Sequence, residues 1–170
     1  MALESLWQTL EASSLATFLA ESAWAFPTVE SLHVLAIVTV VGSIAIMDLR
    51  LLGLASNGSA VSAVSDETLP YVWIAFMVAV ATGSLLFVSR ATAYAVNTYF
   101  IAKMICLVLA GLNMLLFQSI TWRGRDRWDR SATLPLAARM AGGISLLFWI
   151  MVVVCGRLIG FTLAAFWQKP

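Results

Sequence analysis

The sequence predicts an all-α integral membrane bundle of four transmembrane helices preceded by an amphipathic interfacial helix. Three observations predict it. The 170 residues are 61% hydrophobic and only 11% charged, whereas a soluble domain carries roughly 25% charged residues to keep its surface wet. Four apolar stretches each reach the about 20 residues that a helix needs to cross a hydrocarbon core of ~30 Å. Polar turn residues and one cluster of arginines separate those stretches. The formal net charge is +1, so no global basic balance argues for nucleic acid. The partner that composition implies is the lipid bilayer.

Residues 1–25 form the amphipathic N-terminal helix, and residues 26–170 the four-helix transmembrane domain. Leu3, Leu6, Trp7, Leu10, Leu15, Phe18 and Leu19 recur at roughly helical spacing between Ser, Thr and Glu, the pattern of a helix lying in an interface. Glu4, Glu11 and Glu21 are present and Lys and Arg are not. A cleavable signal begins with a basic segment, so this one is expected to be retained. Without basic residues it does not suit an anionic-lipid anchor, and it is expected to pack on the protein instead.

The first span runs from about Thr28 to Leu54, with Pro27 where a helix start tolerates it. A polar connector, Ala55–Glu67 with Ser56, Asn57, Gly58, Ser59 and Ser62, leads to a second span from about Pro70 to Val88. The third runs from about Asn97 to Ile120. The fourth begins near Pro135 and continues toward Phe166, longer than one crossing, so it must tilt, break or project into water. Small residues on the second and fourth spans (Thr82, Gly83, Ser84; Gly142, Gly143, Ser145) suit close helix approach.

Orientation rests on the loop between the last two spans, where Arg123, Arg125, Arg127 and Arg130 alternate with Asp126 and Asp129. The positive-inside rule puts this loop in the cytoplasm and both termini in the periplasm of a bacterial inner membrane. Trp24, Trp122, Trp128 and Trp167 fall near span ends, where an aromatic belt belongs.

Ionisable groups inside the spans carry what functional signal there is, because charge in hydrocarbon costs about 2.5–3.5 kcal/mol on insertion scales. At ~100° per residue, Glu30 and Asp48 fall in phase on the first span and His33 lies about 60° away. His33 and Asp48 are separated by roughly 22 Å along the axis, so they mark two depths and share neither a metal nor a proton. On the third span Tyr99, Lys103, Cys106, Ala110 and Asn113 share a stripe. With Arg90 and Arg157 these residues outline an outward-facing ligand-binding pocket of Glu30, His33, Arg90, Tyr99, Lys103 and Arg157, cationic and suited to an anion or to the polar head of a quinone. The competing reading is structural: Lys103 and Arg157 snorkel, and His33 is a satisfied core histidine. Asp48 and Asn113 are the polar residues of the other half. Asp48 needs a partner on another helix, with Asn113, Gln118 and Arg139 at suitable depths, while Arg50 is expected to reach interfacial headgroups. Cys106 and Cys155 lie in apolar runs and read as core residues. No spacing suggests a metal site.

The run Trp24-Ala25-Phe26-Pro27, with Glu30, His33, Gly42 and Asp48-Leu49-Arg50-Leu51-Leu52-Gly53, resembles an uncharacterised family of small bacterial multi-pass membrane proteins. So do Thr82-Gly83, Leu86-Phe87, Lys103 and Gly111-Leu112-Asn113. The likeness covers roughly residues 20–120. It implies a multi-pass topology in a bacterial inner membrane and no particular activity.

Three functions remain open at this point. The first is binding or translocating a small ligand or ion through a polar intramembrane site, as an oligomer, since four spans are too few to enclose a sizeable pore. The second is an electron-transfer subunit binding haem or quinone. His33 is the only histidine, so a haem would need His33 with a methionine, or two chains. The third is a non-catalytic accessory subunit of a larger membrane complex. No phosphate-binding glycine loop, nucleophile elbow or paired catalytic carboxylates are present, so no catalytic residue is assigned.

Overall fold

The computed structural model describes residues 2–56, 58–131 and 133–166; Asn57 of the connector and Trp167 of the expected aromatic belt lie outside the described residues. Helices α1 (Ala2–Glu11) and α2 (Ser14–Glu21) precede α3 (Ala25–Leu52), α4 (Val61–Ser89), the short α5 (Ala91–Ala95), α6 (Thr98–Leu116) and α7 (Leu136–Phe166). A π-helical turn, Phe117–Thr121, and a 3-10 turn, Trp122–Arg127, carry α6 into the arginine loop. Four of these segments are long and apolar enough to cross a membrane: Ala25–Leu52, Val61–Ser89, Thr98–Arg127 and Leu136–Leu163.

The N-terminal region is two helices rather than one. Ser13 ends the first and caps the second, its hydroxyl accepting from the Ala16 backbone N–H at 3.3 Å. The pair packs on the protein as expected. Trp7 meets the Phe87 ring edge-on at 5.5 Å, and the Glu11 carboxylate accepts from the Thr92 hydroxyl at 2.8 and 2.9 Å. Pro27 occupies the first turn of α3, where its missing N–H costs nothing. Gly53 ends that helix at φ +74°, the left-handed stop that glycine adopts without strain.

Helix α4 departs from the expectation most. It begins at Val61 rather than at Pro70, and Pro70 lies inside it on the exposed side. A proline there forfeits one helical hydrogen bond. Burial of Val61, Val64 and Ser65 and a cap from Asp129 extend the helix through that defect. The fourth span does not break; its 31 residues form one helix of about 46 Å.

Helix α3 packs against both α4 and α7, and α7 against α6, while α4 and α6 share no comparable backbone contact. Alternate spans run in opposite directions, so one end of the bundle carries α1, α2 and α5 and the other carries the arginine loop. Mid-bundle, Val40, Ala75, Ala110, Trp149 and Val152 form an apolar layer. Nearer the arginine loop, Leu51, Val61, Trp128, Leu134 and Ala138 form a second. Trp128 is therefore a core residue and not part of an aromatic belt, whereas Trp24 is fully displayed at 83% exposure.

Candidate functional site

Above and below the mid-bundle apolar layer sit two polar layers. The first lies toward the α1 end and is built on the close α3–α4 contact. His33 is half-buried there, with Nδ1 3.0 Å from Thr82 Oγ1. The Thr82 hydroxyl already donates to the Val78 carbonyl at 2.7 Å, and the Ala79 carbonyl also faces the ring. A hydroxyl has one hydrogen and lone pairs to spare, so with its hydrogen on Val78 the Thr82 oxygen is free to accept from a hydrogen on Nδ1. Gly83 completes the seat. A Cβ at that position would stand 2.9 Å from His33 Cε1, so only glycine admits the ring at this place.

Lys103 approaches from α6. Its Nζ lies 3.9 Å from the point where a Cβ of residue 156 would stand, and it interacts electrostatically with Cys155 and with His33. Gly156 lies beside the ammonium, at a distance where a Cβ would make only ordinary contact with it. All nine acidic residues of the chain fall among the described ones, and none pairs with Lys103. For a cation at the centre of a membrane helix the cost is about 2.5–3.5 kcal/mol on insertion scales, and among the described residues no carboxylate offsets it here.

Closer to the α1 end, Arg90 stacks over the Phe26 ring at 5.2 Å. Exposed Glu30, one helical turn from His33, and Arg90 both act on Tyr94. Burial pushes the Tyr94 phenol above its ordinary value, the Arg90 guanidinium works against that shift, and the Glu30 carboxylate adds to it. Of the six residues expected to form one pocket, His33 and Lys103 come together and Glu30 and Arg90 gather at the approach. The other two do not join them. Arg157 is exposed and lies over Phe161 at 4.7 Å. Tyr99 lines a separate small cavity of about 230 Å³ with Asn97 and Thr162.

The second polar layer, toward the arginine loop, centres on Asp48, which is 4% exposed. Its neighbour is Ser145 of α7, and its Oδ2 has no hydrogen-bond partner among the described residues. None of the three partners expected for it serves. Asn113 donates to the Ala141 carbonyl at 3.0 Å, and Gln118 and Arg139 are exposed. The reason is the close α3–α7 crossing, where Gly142 lies against the Asp48 backbone and brings Ser145 rather than an α6 residue to the carboxyl. Arg50 also overturns its expectation. It is 0% exposed, its Nε donates to the Ser59 carbonyl at 2.9 Å, and it does not reach the surface. The chain reverses at Gly53 and returns across it.

Thr82 and Ser145, read in the sequence as packing residues, are the partners of the two principal ionisable groups. Their only signal was adjacency to Gly83 and Gly142-Gly143 on the same helices. Among the described residues no three His, Cys, Asp or Glu side chains gather as a metal site would require, and both cysteines are free.

The chain belongs to a family of unknown function, DUF6644, whose model matches residues 16–162. No curated protein and no solved structure matches it.

Proposed function

We propose that this member of a family of unknown function binds, and as an oligomer translocates, a small anion through the polar layer at His33 and Lys103. The observation that carries the reading is Lys103, a cation at membrane depth with no carboxylate among the described residues, beside an imidazole fixed by Thr82. An anionic ligand would supply the missing counter-charge, and the low dielectric around it strengthens each contact. Arg90 at the approach adds positive potential that draws anions in. With the arginine loop cytoplasmic by the positive-inside rule, both termini are periplasmic and the site faces the periplasmic side of a bacterial inner membrane. Four spans enclose little room, so the transport step calls for several copies.

The test is calorimetric titration of the purified protein with small anions, followed by anion flux in liposomes, alongside Lys103→Met and Lys103→Arg. Saturable binding that Lys103→Met abolishes and Lys103→Arg partly keeps supports the reading. Binding that is equal in Lys103→Met, or absent from the wild type, overturns it.

A further inference from the structure

The N-terminal helix does not lie flush against the spans. Between α1 and the first half of α6 runs a groove of about 570 Å³. Leu3 and Trp7 of α1 form one wall, and Ile101, Met104, Ile105 and Val108 of α6 form the other. Phe87 of α4 and Phe100 of α6, stacked at 5.4 Å, stand at its end near the start of α6. All the lining residues are apolar, so a headgroup or a soluble anion finds no polar partner here.

Length and width name an occupant for this apolar space. The α6 wall runs from Phe100 to Leu109, roughly 13 Å at about 1.5 Å per residue. It begins just inside the span Thr98–Arg127 and covers close to half of a hydrocarbon core of ~30 Å. The groove therefore has the depth of one leaflet and stops near the bilayer midplane. A transmembrane helix of a second copy would run the full thickness. With side chains it is about 10–12 Å across, so alongside this wall it would fill roughly 1,000 Å³ or more. That is too much for the groove. A lipid acyl chain is narrower, enters at the interface and ends at the midplane.

Helix α1 makes this place different from open bilayer. The outer face of α6 alone is convex, and Leu3 and Trp7 turn it concave. A chain inside meets protein on two sides instead of one, and dispersion contacts accumulate with each. We propose that the groove holds one acyl chain of a membrane lipid from the leaflet on the α1 side, bound and not freely exchanging with the bilayer. Neither His33 nor Lys103 lines the groove, so the lipid site is independent of the anion reading.

Photolabelling tests the site. The protein is reconstituted in phospholipid nanodiscs with a trace of phosphatidylcholine carrying a diazirine in mid-chain, and labelled residues are mapped by mass spectrometry. Met104 and Val108 in the groove are compared with Leu32 and Leu35, exposed at matching depth on α3. In the wild type, label should collect on the groove pair several-fold above the α3 pair. Ile105→Trp, a change at an exposed position, should fill the groove. Label at Met104 and Val108 should then fall to the α3 level, with Leu32 and Leu35 unchanged. Equal labelling of the two faces in the wild type means bulk lipid contact alone and overturns the site. Label that Ile105→Trp leaves in place overturns it as well. A groove free of label, with Val108→Cys chains that crosslink to one another, overturns it in favour of a second copy.

Discussion

Ser62 and Asp129, sixty-seven positions apart, hold the arginine loop to the start of α4 through two short hydrogen bonds. The Ser62 backbone N–H donates to Oδ1 at 2.7 Å and its hydroxyl donates to Oδ2 at 2.6 Å. A third bond runs beside them, from the Val61 N–H to the Asp129 carbonyl at 3.0 Å. The carboxylate therefore sits where the helix leaves N–H groups unpaired and where its dipole favours negative charge. The cap comes from a distant loop instead of from the residue preceding the helix.

This cap makes the loop acid-sensitive. Partial desolvation alone would raise the Asp129 carboxyl, but the two Ser62 bonds, with Arg125 and Arg130 nearby, hold it below its ordinary 3.8. A carboxyl lowered on folding contributes stability that is complete above its unfolded value and is lost as pH falls through the lower folded one. Thermal unfolding in detergent, followed by circular dichroism, should show this loss below about pH 4. In Asp129→Ala that portion of the pH dependence should vanish, with a loss of about 1 kcal/mol at neutral pH, typical of a helix cap.

Two glycines should respond oppositely to alanine. A Cβ at Gly142 would stand 2.9 Å from Leu51 Cβ and 3.0 Å from the Asp48 carbonyl oxygen. Those atoms belong to the packed α3–α7 interface, so Gly142→Ala should cost ~1–3 kcal/mol through overpacking. Gly42 has nothing within 4 Å of a Cβ, and Gly42→Ala should stabilise α3 by about 0.5–1 kcal/mol. Denaturation midpoints of the two purified variants decide it; a shift in the same direction for both would refute the crossing as drawn.

Gly83→Ala tests the seat of the histidine. The added methyl would meet His33 Cε1 at 2.9 Å, and the ring can turn away because it is a side chain and not backbone. The fold should survive while the His33–Thr82 bond is lost, and anion affinity should fall to the level of His33→Ala. Unchanged affinity together with an unchanged histidine NMR signal would show that the ring does not rest on Gly83.

Trp128→Ala should open a cavity under the arginine loop. The indole is 9% exposed and packs with Leu51, Val61 and Leu134. Loss of a core tryptophan costs about 3–5 kcal/mol. Limited proteolysis at Arg125, Arg127 and Arg130 should accelerate, since the loop loses its anchor. Resistance equal to that of the wild type would place Trp128 at the lipid interface after all.

Much of this architecture was legible in the sequence, and the part that was not shares one cause. The spans were visible because crossing hydrocarbon is a property of each segment alone: length and apolar content decide it. His33 and Lys103 stood out for the same reason, as polar groups in apolar runs. Helical phase brought Tyr99 onto the Lys103 stripe correctly, yet one turn separates a residue inside the bundle from one beside Asn97 and Thr162. The start of α4 was hidden because the bonds that extend it past Pro70 come from Asp129, far along the chain.

By itself, then, the sequence determined an all-α membrane bundle with polar groups at two depths of its first span. That follows from hydrophobicity and the rise of a helix. Only the tertiary structure decided that Thr82 meets the His33 ring, that Ser145 and not Asn113 meets Asp48, and that Arg50 is buried under a returning loop. Each depends on how far one helix is rotated and slid against another. Interdigitating side chains and the glycines that permit close approach set those two quantities, and no local pattern encodes them.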